Sequence, residues 1–115
     1  MKVSENTRPW TDRYAVEHTE IVVETPELRM VRITLAAGES VPWHWHSDIT
    51  DRFVCLRGSL CVETRAPRAS HDLAPGEECT VAPKTAHSAR NAGEDHCRFI
   101  VIQGVGPYDY NALGD

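Results

Sequence analysis

Apolar residues in this 115-residue chain recur with a period of two, in short runs broken by glycine, proline and acidic residues. That period belongs to β-strands, whose successive side chains point to opposite faces. The run His18–Glu24 (HTEIVVE) is rich in β-branched residues and stops at Thr25 and Pro26. From Leu28 to Leu35, Val31, Ile33 and Leu35 alternate with Met30, Arg32 and Thr34, which predicts a strand with one apolar face. Ala36, Ala37 and Gly38 turn the chain into a third strand through Val41 and Trp45. Phe53–Leu56 and Leu60–Thr64 are expected to pair as a hairpin across Arg57, Gly58 and Ser59. Residues 66–72 read as a polar loop, Pro75 and Gly76 as a turn, Cys79–Ala82 as a short strand and Pro83–Ala86 as another turn. A strand carrying His87, Ala89 and Asn91 on one face follows, and Cys97–Gln103 (CRFIVIQ) is the last clear strand. Seven or eight short strands without a helix-period segment imply an all-β sandwich or barrel.

The stretch from Gly38 to Gly58, GESVPWHWHSDITDRFVCLRG, carries the candidate chemistry. His44 and His46 stand two apart, so on a strand their imidazoles project side by side and can share one metal ion. Asp51 can bring a carboxylate to the same ion from the next strand. Asp48 is an alternative donor from the loop between them.

This window resembles the first motif of the cupin superfamily: glycine, five residues, His-x-His, three or four residues, glutamate, six residues, glycine. Gly38, His44, His46, Asp51 and Gly58 fill it, with aspartate where the family usually has glutamate. The second family motif, with its glycine, proline, histidine and asparagine, is matched by Gly76, Pro83, His87 and Asn91 in GEECTVAPKTAHSARN. The resemblance implies a small double-stranded β-helix (jelly-roll) barrel with His44, His46, His87 and Asp51 pointing inward toward a metal. Three neutral imidazoles and a carboxylate make a mixed nitrogen and oxygen set. Such a set suits Fe(II) first, with Mn, Ni, Zn or Cu as alternatives, and disfavours calcium and magnesium. Aspartate reaches about an ångström less than glutamate. Asp51 therefore ligates directly, ligates through water, or accepts a hydrogen bond from an imidazole.

Strand alternation puts Phe53 and Cys55 on the same face as Asp51, so both are candidates to line a pocket, as is Phe99. Arg32, isolated on an apolar strand, either meets an anionic substrate at the barrel mouth or stays a solvated edge charge. His18, His71 and His96 fit no motif and read as surface or loop residues.

Charge and length narrow the classes further. One domain spans 1–115, with a polar N-terminal arm over about 1–12, anchored by Pro9 and Trp10, and a C-terminal tail over about 104–115. A net charge of -5, with no basic run, argues against nucleic-acid binding. Neither a signal peptide nor an apolar membrane span is apparent, which leaves a cytoplasmic protein as the expectation. Cysteines 55, 61, 79 and 97 form no C-x-x-C pair and read as small buried hydrophobes in a reducing compartment. Trp43 and Trp45 point opposite to the paired histidines and need cover, from the arm or from a partner subunit, so a homodimer is expected.

No nucleophile elbow, phosphate-binding glycine loop or dinucleotide fingerprint is present. The expected function is therefore a metal-dependent enzyme on a small molecule, an Fe(II) dioxygenase first. A metal-dependent isomerase, lyase or hydrolase for a sugar-like or hydroxy acid substrate is the second reading. The third is a non-catalytic cupin that binds a small ligand or metal as a sensor.

Overall fold

Alternation in the sequence becomes pairing in two five-stranded antiparallel sheets. The computed structural model describes residues 16–113. Its strands are β1 (His18–Thr25), β2 (Leu28–Leu35), β3 (Ser40–Trp45), β4 (Thr50–Arg57), β5 (Leu60–Arg65), β6 (Arg68–Leu73), β7 (Glu78–Val81), β8 (His87–Asn91), β9 (Cys97–Gly104) and β10 (Asn111–Ala112). One sheet runs in the order β1-β2-β9-β4-β7, the other β10-β3-β8-β5-β6. The two pack face to face as a double-stranded β-helix. The N-terminal arm expected over residues 1–12 lies outside the described residues. Among those residues there is no helix long and apolar enough to cross a membrane.

Register sorts the inward side chains of the first sheet into rows. Leu35 lies opposite Cys97, Ile33 opposite Phe99 and then Cys55, and Val31 opposite Val101, Phe53 and Cys79. Apart from the partly buried Cys79, these residues are almost wholly buried and form the core with Val41, Leu60, Val62, Leu73 and Ala89 from the facing sheet. At about 25 cal/mol per Å² of apolar surface, such side chains supply most of what opposes chain entropy. The next row is different in kind: Arg29, Gln103 and Asp51 lie side by side across β2, β9 and β4. In the second sheet His44, His87 and Thr64 make a corresponding row across β3, β8 and β5. The polar rows close the apolar core at one end, and this register places the candidate site.

Two expectations about connections are corrected. Phe53–Leu56 and Leu60–Thr64 do not form a hairpin: β4 pairs with β9 and β7, and β5 with β8 and β6. Instead the chain crosses between sheets at Gly58. This glycine takes φ +82°, and a Cβ there would stand 2.7 Å from the His96 carbonyl oxygen. Only glycine accommodates both demands without a shift in the backbone. Second, residues 66–72 are largely strand, since β6 pairs with β5 from Arg65–Arg68 to Leu60–Leu73. Only one side of an edge strand needs partners, so Ala69, His71 and Leu73 suffice for its inner face, and the apolar signal is weak.

Candidate metal centre

His44 and His46 reach the barrel end through a local irregularity. Pairing of β3 with β8 slips between Val41 and His44, a bulge that contains Pro42. Proline lacks a ladder N–H and is tolerated where the ladder is interrupted. The bulge turns the Pro42 carbonyl onto Nδ1 of His44 at 2.7 Å. His87 begins β8 directly after the Pro83–Ala86 turn, and its Nδ1 meets the Thr85 carbonyl at 2.8 Å. Nδ1 of His46 meets the Asp109 carbonyl at 2.6 Å.

These three contacts assign the tautomers. A carbonyl only accepts, so each Nδ1 carries the hydrogen and each neutral ring presents the Nε2 lone pair to the interior. There the rings gather, with centroids 4.4 Å apart for His44 and His87 and 4.8 Å for His44 and His46. Asp51 Oδ2 lies 2.8 Å from Nε2 of His87 and 3.1 Å from Nε2 of His46. Donor atoms from His44, His46, Asp51 and His87 all fall within 4.8 Å of one another, and all four residues are buried. Lone pairs aimed at a buried carboxylate repel unless a cation lies among them, either protons on Nε2 or a metal ion. The donor set thus fits a divalent transition metal.

Electrostatics without a metal express the same demand. Burial, reinforced by the charges of His87 and His46, lowers the His44 pKa to about 3. Burial also opposes protonation of His46, but its hydrogen bond to Asp51 outweighs this and raises its pKa. For Asp51 burial acts upward, and the hydrogen bonds to His46 and His87 prevail, holding the carboxyl well below the usual range.

Beside the donors lies a cavity of about 30 Å³, lined on one side by Val31, Ile33, Val41, Phe53, Phe99 and Val101. Arg29, Gln103, Tyr108 and Tyr110 supply its polar wall, together with His44 and Asp51. Gln103 Nε2 donates to Asp51 Oδ1 at 3.2 Å, and Gln103 Oε1 accepts from an Arg29 amino group at 3.0 Å. Arg29 also pairs with Glu24 at 3.3 Å, and the Tyr108 ring faces its guanidinium at 4.1 Å. Tyr110 stacks on the His44 ring at 4.5 Å. Asp109, between the tyrosines, accepts from the Ser47 backbone N–H at 2.8 Å and so ties the C-terminal segment to the histidine strand.

Of the other pocket candidates, Phe53 and Phe99 line the cavity. Cys55 lies one row deeper in the core, its thiol directed at the Arg57 and Gly58 carbonyls. Arg32 faces outward with the parity of Met30 and pairs with Glu20 at 3.0 Å, so it does not line the cavity. Asp48 is exposed and lies outside the donor group. None of the four cysteines is disulfide-bonded, and burial pushes all of their thiols up, Cys79 to about 11 and Cys97 to about 12. Trp43 and Trp45 are half-buried, and the Arg65 guanidinium covers Trp43 at 4.1 Å. Arg29 and Gln103 were legible as inward residues, because they share the parity of Val31 and of Phe99 and Val101. For Tyr108 and Tyr110 no periodic signal exists.

The family model described as the cupin domain matches residues 31–103, well over half of the chain. The chain belongs to the cupin family. No curated protein matches this cupin. Among solved structures it is similar to a conserved double-stranded β-helix protein from Klebsiella pneumoniae subsp. pneumoniae MGH 78578. There the TM-score is 0.74 at 19% identity, covering 100% of this chain and 96% of that one. KdgF from Halomonas sp. superposes with a TM-score of 0.68 at 21% identity, over 80% and 84% of the two chains. An oxalate oxidase gives 0.69 at 19% identity, over 76% of this cupin and 46% of the oxidase. At these identities the likeness concerns the fold, and this cupin's activity has to be argued from its own site.

Proposed function

We propose that this cupin is a metal-dependent enzyme acting on a small molecule, an Fe(II) dioxygenase in the first instance. The observation that carries the reading is the convergence of three Nε2 lone pairs and one carboxylate, all buried, beside a cavity walled on one side by apolar side chains. His44, His46, His87 and Asp51 would hold the ion. Four protein donors leave positions open on a six-coordinate ion, which would supply polarisation of a bound substrate and, as Fe(II), oxygen chemistry.

The chain's own residues provide the rest. Backbone carbonyls of Pro42, Thr85 and Asp109 hold the three rings in one tautomer, so none needs to reorient when an ion enters. Phe53 packs edge-on to His87 at 5.9 Å and near Phe99 at 6.0 Å, which keeps water away from that side of the donors. Tyr108 remains a neutral phenol, its pKa raised by burial against the pull of the Arg29 charge. The outward-facing indoles of Trp43 and Trp45 fit a homodimer, a state that sedimentation of the purified protein measures.

Oxygen uptake by anaerobically Fe(II)-loaded protein tests the reaction class. The proposal expects oxygen consumption that depends on substrate. Turnover without oxygen, supported equally by Zn(II) or Mn(II), would contradict the dioxygenase assignment and make the ion a Lewis acid. Ligand binding without any product would leave a sensor.

A further inference from the structure

We infer that Arg29 is the substrate-anchoring residue of the metal cavity and that the substrate class is a small monocarboxylic acid. The inference rests on the metal-dependent reading above and extends it to the ligand. Arg29 is only 3% exposed, yet it lies in the wall of the same cavity as His44 and Asp51. Among the residues lining that cavity it is the one Lys or Arg. A buried guanidinium is costly and is retained where its planar fork has something to hold.

Its setting is built. The rung pairing places Arg29 beside Gln103, and Gln103 beside Asp51, so one amide joins the guanidinium to the ion-binding carboxylate. Tyr108 lies against the guanidinium face, so planar hydrogen bonding to Arg29 runs along its edge. Glu24, which is part exposed, pairs at Nε and further fixes the fork's orientation.

Charge and size then specify the ligand. With a divalent ion in place, Arg29 and the ion are opposed by the carboxylates of Asp51 and Glu24, and these groups together keep one positive charge. A monoanion neutralises it, and the apolar wall of Val31, Ile33, Phe53 and Val101 strengthens that attraction by excluding solvent. The cavity of about 30 Å³ has room for roughly two or three waters, hence for an acid of few heavy atoms.

The test is calorimetric titration of the metal-loaded protein with formate, an acid small enough for the cavity, and with its neutral counterpart formamide. Wild type, Arg29→Met and Arg29→Lys are compared, and the metal content of each is measured by mass spectrometry. Formate is expected to bind wild type at least tenfold more tightly than formamide. Arg29→Met is expected to lose at least tenfold for formate at matched metal content. Arg29→Lys, which keeps the charge without the fork, is expected to lose about fivefold, and it decides the matter if Arg29→Met does not fold. Wild-type formate affinity in either folded variant, or equal binding of formate and formamide by wild type, would overturn the inference. A wild type that takes up no metal overturns the metal reading and the inference with it, because without the ion the groups around Arg29 no longer keep a positive charge; metal uptake without the Arg29 effect overturns the inference alone.

Discussion

Gln103 lies opposite Asp51 across β9 and β4, and its amide donates to Asp51 Oδ1 at 3.2 Å while Oδ2 of the same carboxylate faces His46 and His87. One oxygen is therefore oriented by the barrel wall and the other is offered to the site. Replacing Gln103 by leucine keeps the volume roughly constant but leaves Asp51 Oδ1 without its amide donor. The expected cost is about 1–3 kcal/mol of stability in the metal-free protein. Metal affinity should fall by roughly tenfold or more, as for other groups that orient ligands. Urea unfolding and a competitive chelator titration measure the two effects, and wild-type values in both would remove Gln103 from the account.

Acid should destabilise the metal-free protein, with the sign set by His44. In the unfolded chain this residue takes up a proton near 6.5, in the folded barrel only near 3. Between those values the unfolded state binds more protons, so stability falls as pH drops, by up to about 1.4 kcal/mol per pH unit. Asp51 acts with the same sign at lower pH: its depressed pKa contributes stability above 3.8 that is lost as pH falls through the folded value. For His46 the sign is opposite, since its raised pKa gives stability that is full below 6.5 and lost as pH rises through the folded value. Melting temperatures of metal-free wild type recorded from pH 7 to pH 4 should therefore decline. The decline should be shallower in His44→Gln; an unchanged slope would contradict the assignment.

Gly58→Ala tests the crossing between the sheets. The substitution must adopt φ +82° and place a methyl 2.7 Å from the His96 carbonyl oxygen and 3.1 Å from Cys97 Cα. Left-handed backbone alone costs about 1–2 kcal/mol, and displacing backbone atoms adds to it, for a total of roughly 2–4 kcal/mol. A lowered urea midpoint is expected. An unchanged midpoint would mean that the crossing relaxes in a way this packing does not allow.

What could be read from the chain depended on how far each feature obeys the two-residue period. His44, His46, Asp51 and His87 were legible because motif spacing and strand parity agree. Parity also carried Phe53 into the cavity wall, and the alternation of Val31, Ile33 and Leu35 extends inward parity to Arg29. Arg32 has the opposite parity, and its pairing with Glu20 follows from that. The Phe53–Leu56 hairpin failed because a glycine between two apolar strands signals a reversal and a sheet-to-sheet crossing alike. Strand β6 was hidden by its edge position, where a single buried leucine at its end is enough. Asp109 and Tyr110 were beyond reach: their contacts to His46 and His44 come from an irregular segment more than sixty residues away, which no local pattern encodes.

The central claim is that the buried donor group binds a metal ion. Its most direct test is the metal content, by mass spectrometry, of protein purified without a histidine tag, wild type against the His44→Ala, His46→Ala double variant. The account predicts close to one transition-metal ion per chain in wild type, present as isolated or after anaerobic reconstitution, and its loss in the variant. A folded wild type that takes up no metal under either condition, or a double variant that retains the wild-type amount, would contradict it.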